Sequence, residues 1–263
     1  GDVSVWQRIV GSLGALDRIV PDRARPGFAS YVRALVGPAL VRLGDPAPDE
    51  ADRTSAQRAT LFEALGELGE GHTVRDRAGE LLRAETRQPG SVDPDLFNAA
   101  VRVVASTGGG GVFDDLLARS EAAATPQDRL RFLGALSDLP DVADIDRFCA
   151  MALTDDVRSQ DAPYLLRRAL QNRAHTARVW GFVAANWDAA NDRFPSNSIV
   201  RMLEGIRTIA DPALAATVRD FLAEHPVPQG AKTLAQHLER MGVTVALAER
   251  EADALADALG PTG

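Results

Sequence analysis

Ile199-Val200-Arg201-Met202-Leu203-Glu204-Gly205-Ile206-Arg207-Thr208-Ile209 carries apolar side chains at 199, 202, 203, 206 and 209. Steps of three and four place them on one face of an α-helix. The same spacing recurs along the chain. Trp6, Ile9, Val10, Leu13, Leu16 and Val20 draw a stripe of about five turns. Phe28, Tyr31, Val32, Leu35 and Ala39 draw the next, with Pro38 predicting a kink or break inside it. Further stripes are Leu61-Leu65-Leu68, Phe97-Ala100-Val101-Val104 and Ile145-Phe148-Cys149-Ala152. Strict alternation, the strand pattern, is confined to Val243-Thr244-Val245. The chain reads as all-α.

Helix starts are marked by Asp93-Pro94, Thr125-Pro126 and Asp211-Pro212, each a capping residue before a proline at the first helical position. Ser159-Gln160-Asp161 is a further start. The punctuation predicts about fourteen short helices with links of a few residues, and no linker that divides the chain. Residues 1–263 are therefore expected to form a single helical-repeat domain. Successive helix pairs span roughly 30–45 residues, the range of HEAT and armadillo repeats, which predicts an irregular, bowl-shaped helical solenoid. Stacking is the physical reason: a short helical pair cannot bury its own stripe.

Composition narrows the function. With 45% hydrophobic and 25% charged residues, the 263-residue chain has the balance of a soluble globular protein. The net charge of −8 argues against a nucleic-acid partner. No apolar run reaches membrane-span length and Gly1-Asp2-Val3-Ser4 is no signal peptide, so no membrane partner and a cytoplasmic setting are expected. Lys232 is the one lysine among 29 basic residues, which with abundant alanine suggests a bacterial source.

No catalytic constellation emerges. Thr107-Gly108-Gly109-Gly110-Gly111 follows a helical stripe rather than a strand, lacks the lysine of a phosphate loop, and is followed by Asp114 and Asp115. It reads as a loop of positive-φ glycines. His72, His175, His225 and His237 do not show the i, i+4 spacing of a zinc motif. Cys149 lies between apolar neighbours and reads as packing. Trp180, Val183, Ala184 and Trp187 form an aromatic stripe expected in the core. No catalytic, cofactor-binding or metal residues are assigned.

Several segments together resemble one family. They are Val5-Trp6 with Leu13 and Leu16, Gly37 to Gly44, Gly108 to Leu117, Thr125 to Leu130, Val157 to Asp161, and Val179-Trp180-Gly181-Phe182 with Asn186-Trp187. From about Val3 to Glu251 the chain is similar to the endoplasmic-reticulum-aminopeptidase-like C-terminal domain of aminopeptidase N-type zinc metallopeptidases. The resemblance implies a HEAT-like helical bowl that caps a catalytic domain. It also implies that zinc and the His-Glu-x-x-His motif belong to that upstream domain, and that this chain lacks the start of the family domain. Its partners would be the catalytic domain of the same parent chain and the peptide substrate. Arg18 falls on a basic position that contacts peptide in some relatives, and Arg58 on another family arginine. The expected aromatic neighbour of Arg18 is Asp17 here, and a second basic position is Asp138. Arg18 is thus read either as a peptide contact or as a solvated, helix-paired arginine.

The leading expectation is a non-catalytic C-terminal domain of a bacterial aminopeptidase that encloses the active site and positions peptides. The alternative is a free-standing helical-repeat scaffold that binds a protein partner on its concave face. A self-contained hydrolase is the third reading.

Overall fold

The computed structural model describes residues 3–260. Fourteen α-helices form there, with short 3-10 turns and no strand among the described residues. The helical period read from the sequence is the architecture. The chain divides into two compact units. The first runs to Val112 and takes in the stretch from Ala252 onward; the second is Phe113–Glu251.

The first unit holds α1 (Val3–Asp17), α2 (Arg25–Leu43), α3 (Asp52–Glu67), α4 (His72–Arg87) and α5 (Pro94–Thr107). Helix α3 is central: α1, α2 and α5 all pack against it, and α4 leans on α5. Leu13, Phe28, Val32, Val36, Ala39, Leu61 and Leu65 fill the core, joined by Ala256 from the far end of the chain. Asp93 caps α5 by accepting from the Leu96 amide at 2.9 Å, as its position before Pro94 predicts. Gly66 lets α3 approach α5, since a Cβ there would meet the Val103 methyls at 2.5 Å.

Two expectations for α2 change. The helix runs unbroken through Pro38, so no break forms there. Its buried stripe is Phe28, Val32, Val36 and Ala39, while Tyr31 and Leu35 are 50% and 37% exposed. The helix is apolar nearly all round, so spacing alone could not choose which face turns inward.

The second unit holds α6 (Val112–Ala122), α7 (Pro126–Ala135), α8 (Val142–Met151), α9 (Ala162–Leu170), α10 (Thr176–Ala185), α11 (Trp187–Arg193), α12 (Ser196–Met202), α13 (Pro212–Glu224) and most of α14 (Ala231–Leu259). Helix α9 is its centre, with Leu166 and Leu170 buried among Ile199, Met202 and Leu203. Thr125 and Asp211 cap α7 and α13 as read from the sequence.

The 199–209 stretch is helical but not one α-helix: it ends at Met202 and continues as a 3-10 turn over Leu203–Thr208. Gly205 sits so close to α9 that a Cβ would meet the Arg167 carbonyl oxygen and the Leu170 Cβ at 2.6 Å. The tighter turn accompanies that approach. The tryptophan stripe is also split, between α10 and α11. Asn186 ends α10, its Nδ2 donating to the Phe182 carbonyl at 2.8 Å, and Trp187 opens the next helix. Both rings remain in the core, 2% and 8% exposed. Each meets Phe221 of α13 edge to face, at 5.6 and 5.4 Å.

Candidate functional site

The two arginines singled out by sequence both lie in the first unit, in different surroundings. Arg58 stands on the second turn of α3 and is 3% exposed. Its Nε donates to the Gly44 carbonyl at 2.9 Å, and Nη2 reaches the Leu43 and Asp45 carbonyls at 3.4 and 3.5 Å. These carbonyls lie where α2 ends and have no helical partner of their own. Gly44 turns the chain there at φ +63, a left-handed conformation suited to glycine. The guanidinium also grips Glu50 with both Nη atoms, Nη2 to Oε2 at 2.7 Å. That bond holds the Glu50 carboxyl below its usual range and pushes Arg58 further up. Arg58 is thus the tie between the end of α2, the following loop and α3. A peptide carboxylate would have to displace Glu50 to reach it.

Arg18 lies in the turn that closes α1, half-buried. Amides of Ile19 and Val20 donate to the Leu16 carbonyl there, at 2.9 and 3.0 Å. Its neighbour Asp17 is 9% exposed and accepts from Arg25 at the start of α2, which directs that carboxylate along the α1–α2 connection. In the second unit Asp138 pairs with Arg168, Nη2 to Oδ2 at 2.5 Å, and so supports the packing of α9.

His175, His225, His237 and the cysteine serve structure, while His72 is exposed at the start of α4. His175 and His237 are buried, and each directs Nε2 at a carbonyl, of Pro140 at 2.7 Å and of Val200 at 3.2 Å. His225 directs Nδ1 at the Phe221 carbonyl at 2.9 Å. A carbonyl only accepts, so each of those nitrogens carries the proton. Burial lowers the pKa of His237 and pushes the Cys149 thiol up to about 12. Among the described residues no group of three or more His, Cys, Asp or Glu side chains is placed to hold a metal ion. The glycine loop at 108–111 takes positive φ at Gly108, Gly109 and Gly111, as expected of a turn.

One feature escaped the sequence reading. A cavity of about 280 Å³ opens between α1, α3 and α5, lined in part by Ala56, Ala59, Glu63 and Asp95. Its only sequence signal is a set of small residues on α3, which gives no hint of depth until the neighbouring helices are in place.

Comparison with known proteins decides the family. The family model for the ERAP1-like C-terminal domain matches residues 1–242. The chain belongs to this family. Relatives of this ERAP1-like domain include Aminopeptidase M1-C of Oryza sativa subsp. japonica, 28% identical over 91% of this chain. Aminopeptidase M1-B of the same plant is 26% identical over 92% of the chain. Glutamyl aminopeptidase of Rattus norvegicus is 24% identical over 90%. The ERAP1-like chain spans 28%, 29% and 26% of those three proteins, little more than a quarter of their length.

Proposed function

We infer that this chain is the non-catalytic C-terminal domain of a bacterial zinc-dependent aminopeptidase, where it encloses the active site and helps position peptide substrates. The observation that carries this reading is the family match along residues 1–242. Relatives named as aminopeptidases that align with nine tenths of this chain, and extend well beyond it, support it. The match runs across the division at Val112, which supports treating both units as parts of one family domain. Bacterial origin rests on the arginine-for-lysine bias together with abundant alanine.

The contribution of such a domain is enclosure. It limits the size of what reaches the active site, excludes water and orients the peptide. Zinc would supply the hydrolytic chemistry, but the residues here do not fit it: among the described residues no group of three or more His, Cys, Asp or Glu side chains is placed to hold the ion. The partners are thus the catalytic part of the parent chain and the peptide. Arg18 is the candidate contact for peptide, while Arg58 acts through the α2–α3 connection that it holds.

Reading the complete gene tests the proposal. A His-Glu-x-x-His motif upstream in the same frame upholds it. A complete frame without that motif overturns it and leaves the free-standing scaffold, which the exposed apolar Tyr31, Leu35 and Val41 of α2 favour.

A further inference from the structure

We propose that His237 is an acid-released latch, which holds residues 231–251 of α14 against α12 and the 3-10 turn that follows it. This goes beyond the enclosing role and does not depend on it. The geometry is a row of attachments along one helix face. Gly230, just before α14, sits against Val200, where a Cβ would meet the Val200 Cβ at 2.6 Å. About two turns on, His237 Nε2 donates to the carbonyl of the same Val200 at 3.2 Å. That carbonyl lies in the last turn of α12, where helical donors run out. About two turns further, Thr244 Oγ1 donates to the Arg207 carbonyl at 2.9 Å. Leu234, Met241 and Val245 share this face and are buried. Helix α14 is thus held here by apolar side chains and by the His237 and Thr244 hydrogen bonds. Of these anchors only His237 titrates.

The surroundings of the imidazole oppose a second proton. His237 is 7% exposed. The charged groups that act on it are Arg207 and Glu204 on the 3-10 turn and Arg201 on α12. Glu204 is the carboxylate among them, and it is already engaged by Arg167 of α9 at 2.8 Å and by Arg207 at 3.3 Å. A proton added at Nδ1 therefore makes a buried cation beside two guanidinium groups, with its nearest counter-ion shared between others. Burial, first, lowers the folded pKa, in the direction these contacts require. When α14 lifts away, the imidazole meets water and titrates near its ordinary value of about 6.5. The opened state then binds a proton that the closed state refuses, so the latch is shut above that value and loosens as pH falls below it. Opening uncovers Leu234, Met241 and Val245, an apolar face that neutral pH hides.

Native-state hydrogen exchange on the full chain at pH 7.5 and 5.5, corrected for the intrinsic pH dependence of exchange, tests the latch. Amides of residues 234–245 should open more often at the lower pH, by up to about tenfold, the ratio set by an opened imidazole of ordinary pKa. Amides of α3, which has no part in the latch, should not share that increase. His237→Gln keeps a donor for the Val200 carbonyl and should remove the acid increase. Thr244→Val should raise opening at both pH values alike. Circular dichroism matching the unaltered chain qualifies each variant. NMR titration of the His237 ring in the unaltered chain gives a second reading that needs no variant, with a midpoint expected below about 6.5. No acid increase in 234–245, an equal increase in α3, an increase that persists in His237→Gln, or a ring midpoint at or above that value overturns the latch.

Discussion

Arg58 and Glu50 meet through both guanidinium Nη atoms and both carboxylate oxygens, with the arginine side chain 4% exposed and the glutamate 15%. The pair is eight residues apart in sequence and closes the α2–α3 connection. Replacing Arg58 by alanine strands Glu50 and leaves the Leu43, Gly44 and Asp45 carbonyls without their donor. The expected loss lies toward the lower end of about 3–5 kcal/mol, because Glu50 stands at the edge and can turn to water. Denaturant unfolding measures it. Arg58→Lys should recover only part of the loss, since an ammonium cannot serve both carboxylate oxygens and the carbonyls at once. Full stability of Arg58→Ala would contradict this role.

The same pair sets a pH dependence. Glu50 has its folded pKa lowered, first by the hydrogen bond from Arg58. Its contribution is therefore complete above the unfolded glutamate value near 4.3 and is lost as pH falls through the lower folded value. Unfolding curves between neutral pH and pH 3 should show an acid loss that is smaller in Glu50→Gln. Parallel curves for the two proteins would refute the assignment.

His237 acts in a different pH range. Burial, first, lowers its folded pKa, and Arg207 and Arg201 act the same way, against the Val200 hydrogen bond and Glu204. The unfolded chain then binds a proton that the folded chain refuses. Stability is complete above the ordinary histidine value of about 6.5 and falls as pH drops toward the lower folded value. His237→Gln keeps a side-chain donor but cannot titrate. Its stability between pH 7 and 5 should decline less than that of the parent chain, which chemical denaturation at fixed salt will report.

Trp187 packs edge to face on Phe221 at 5.4 Å and on His225 at 6.2 Å. Trp187→Ala should cost about 3–5 kcal/mol, the usual loss for an aromatic deleted from a core. An unchanged thermal midpoint would mean that the ring lies at a surface rather than in packing.

Cys149 is 2% exposed and its thiol is pushed up to about 12 by burial. A thiol reagent at pH 8 should leave the native chain unlabelled and modify one thiol only after unfolding. Rapid labelling of the folded chain would refute that burial.

Local chemistry was legible in the sequence and tertiary chemistry was not. The caps at Asp93, Thr125 and Asp211 could be read because a capping side chain meets an amide two or three residues away. The splitting of the 199–209 helix could not, because Gly205 answers to Arg167 and Leu170 on another helix. Neither could the exposure of Tyr31 and Leu35, since α2 offered two apolar faces and the choice lay with α3. Arg58 was noticed through a resemblance, and its partners show why it is held: the carbonyls that need it belong to a loop whose path no periodicity records. The cavity between α1, α3 and α5 was invisible for the same reason, as it is a property of three helices together.

Residues 252–260 pack with residues that precede the whole of Phe113–Glu251. Leu255, Ala256 and Leu259 join Leu13, Phe28 and Val32 in one core, and Gly27 leaves room for the Leu259 carbonyl, which a Cβ would meet at 2.6 Å. On the ribosome, segments emerge in order and tend to fold as they appear. The first unit therefore waits unfinished while all of Phe113–Glu251 is synthesised, with part of its core open to water. A cell making this chain must shelter that half-built surface for the time of some 140 further residues, on the order of ten seconds at the usual pace of translation.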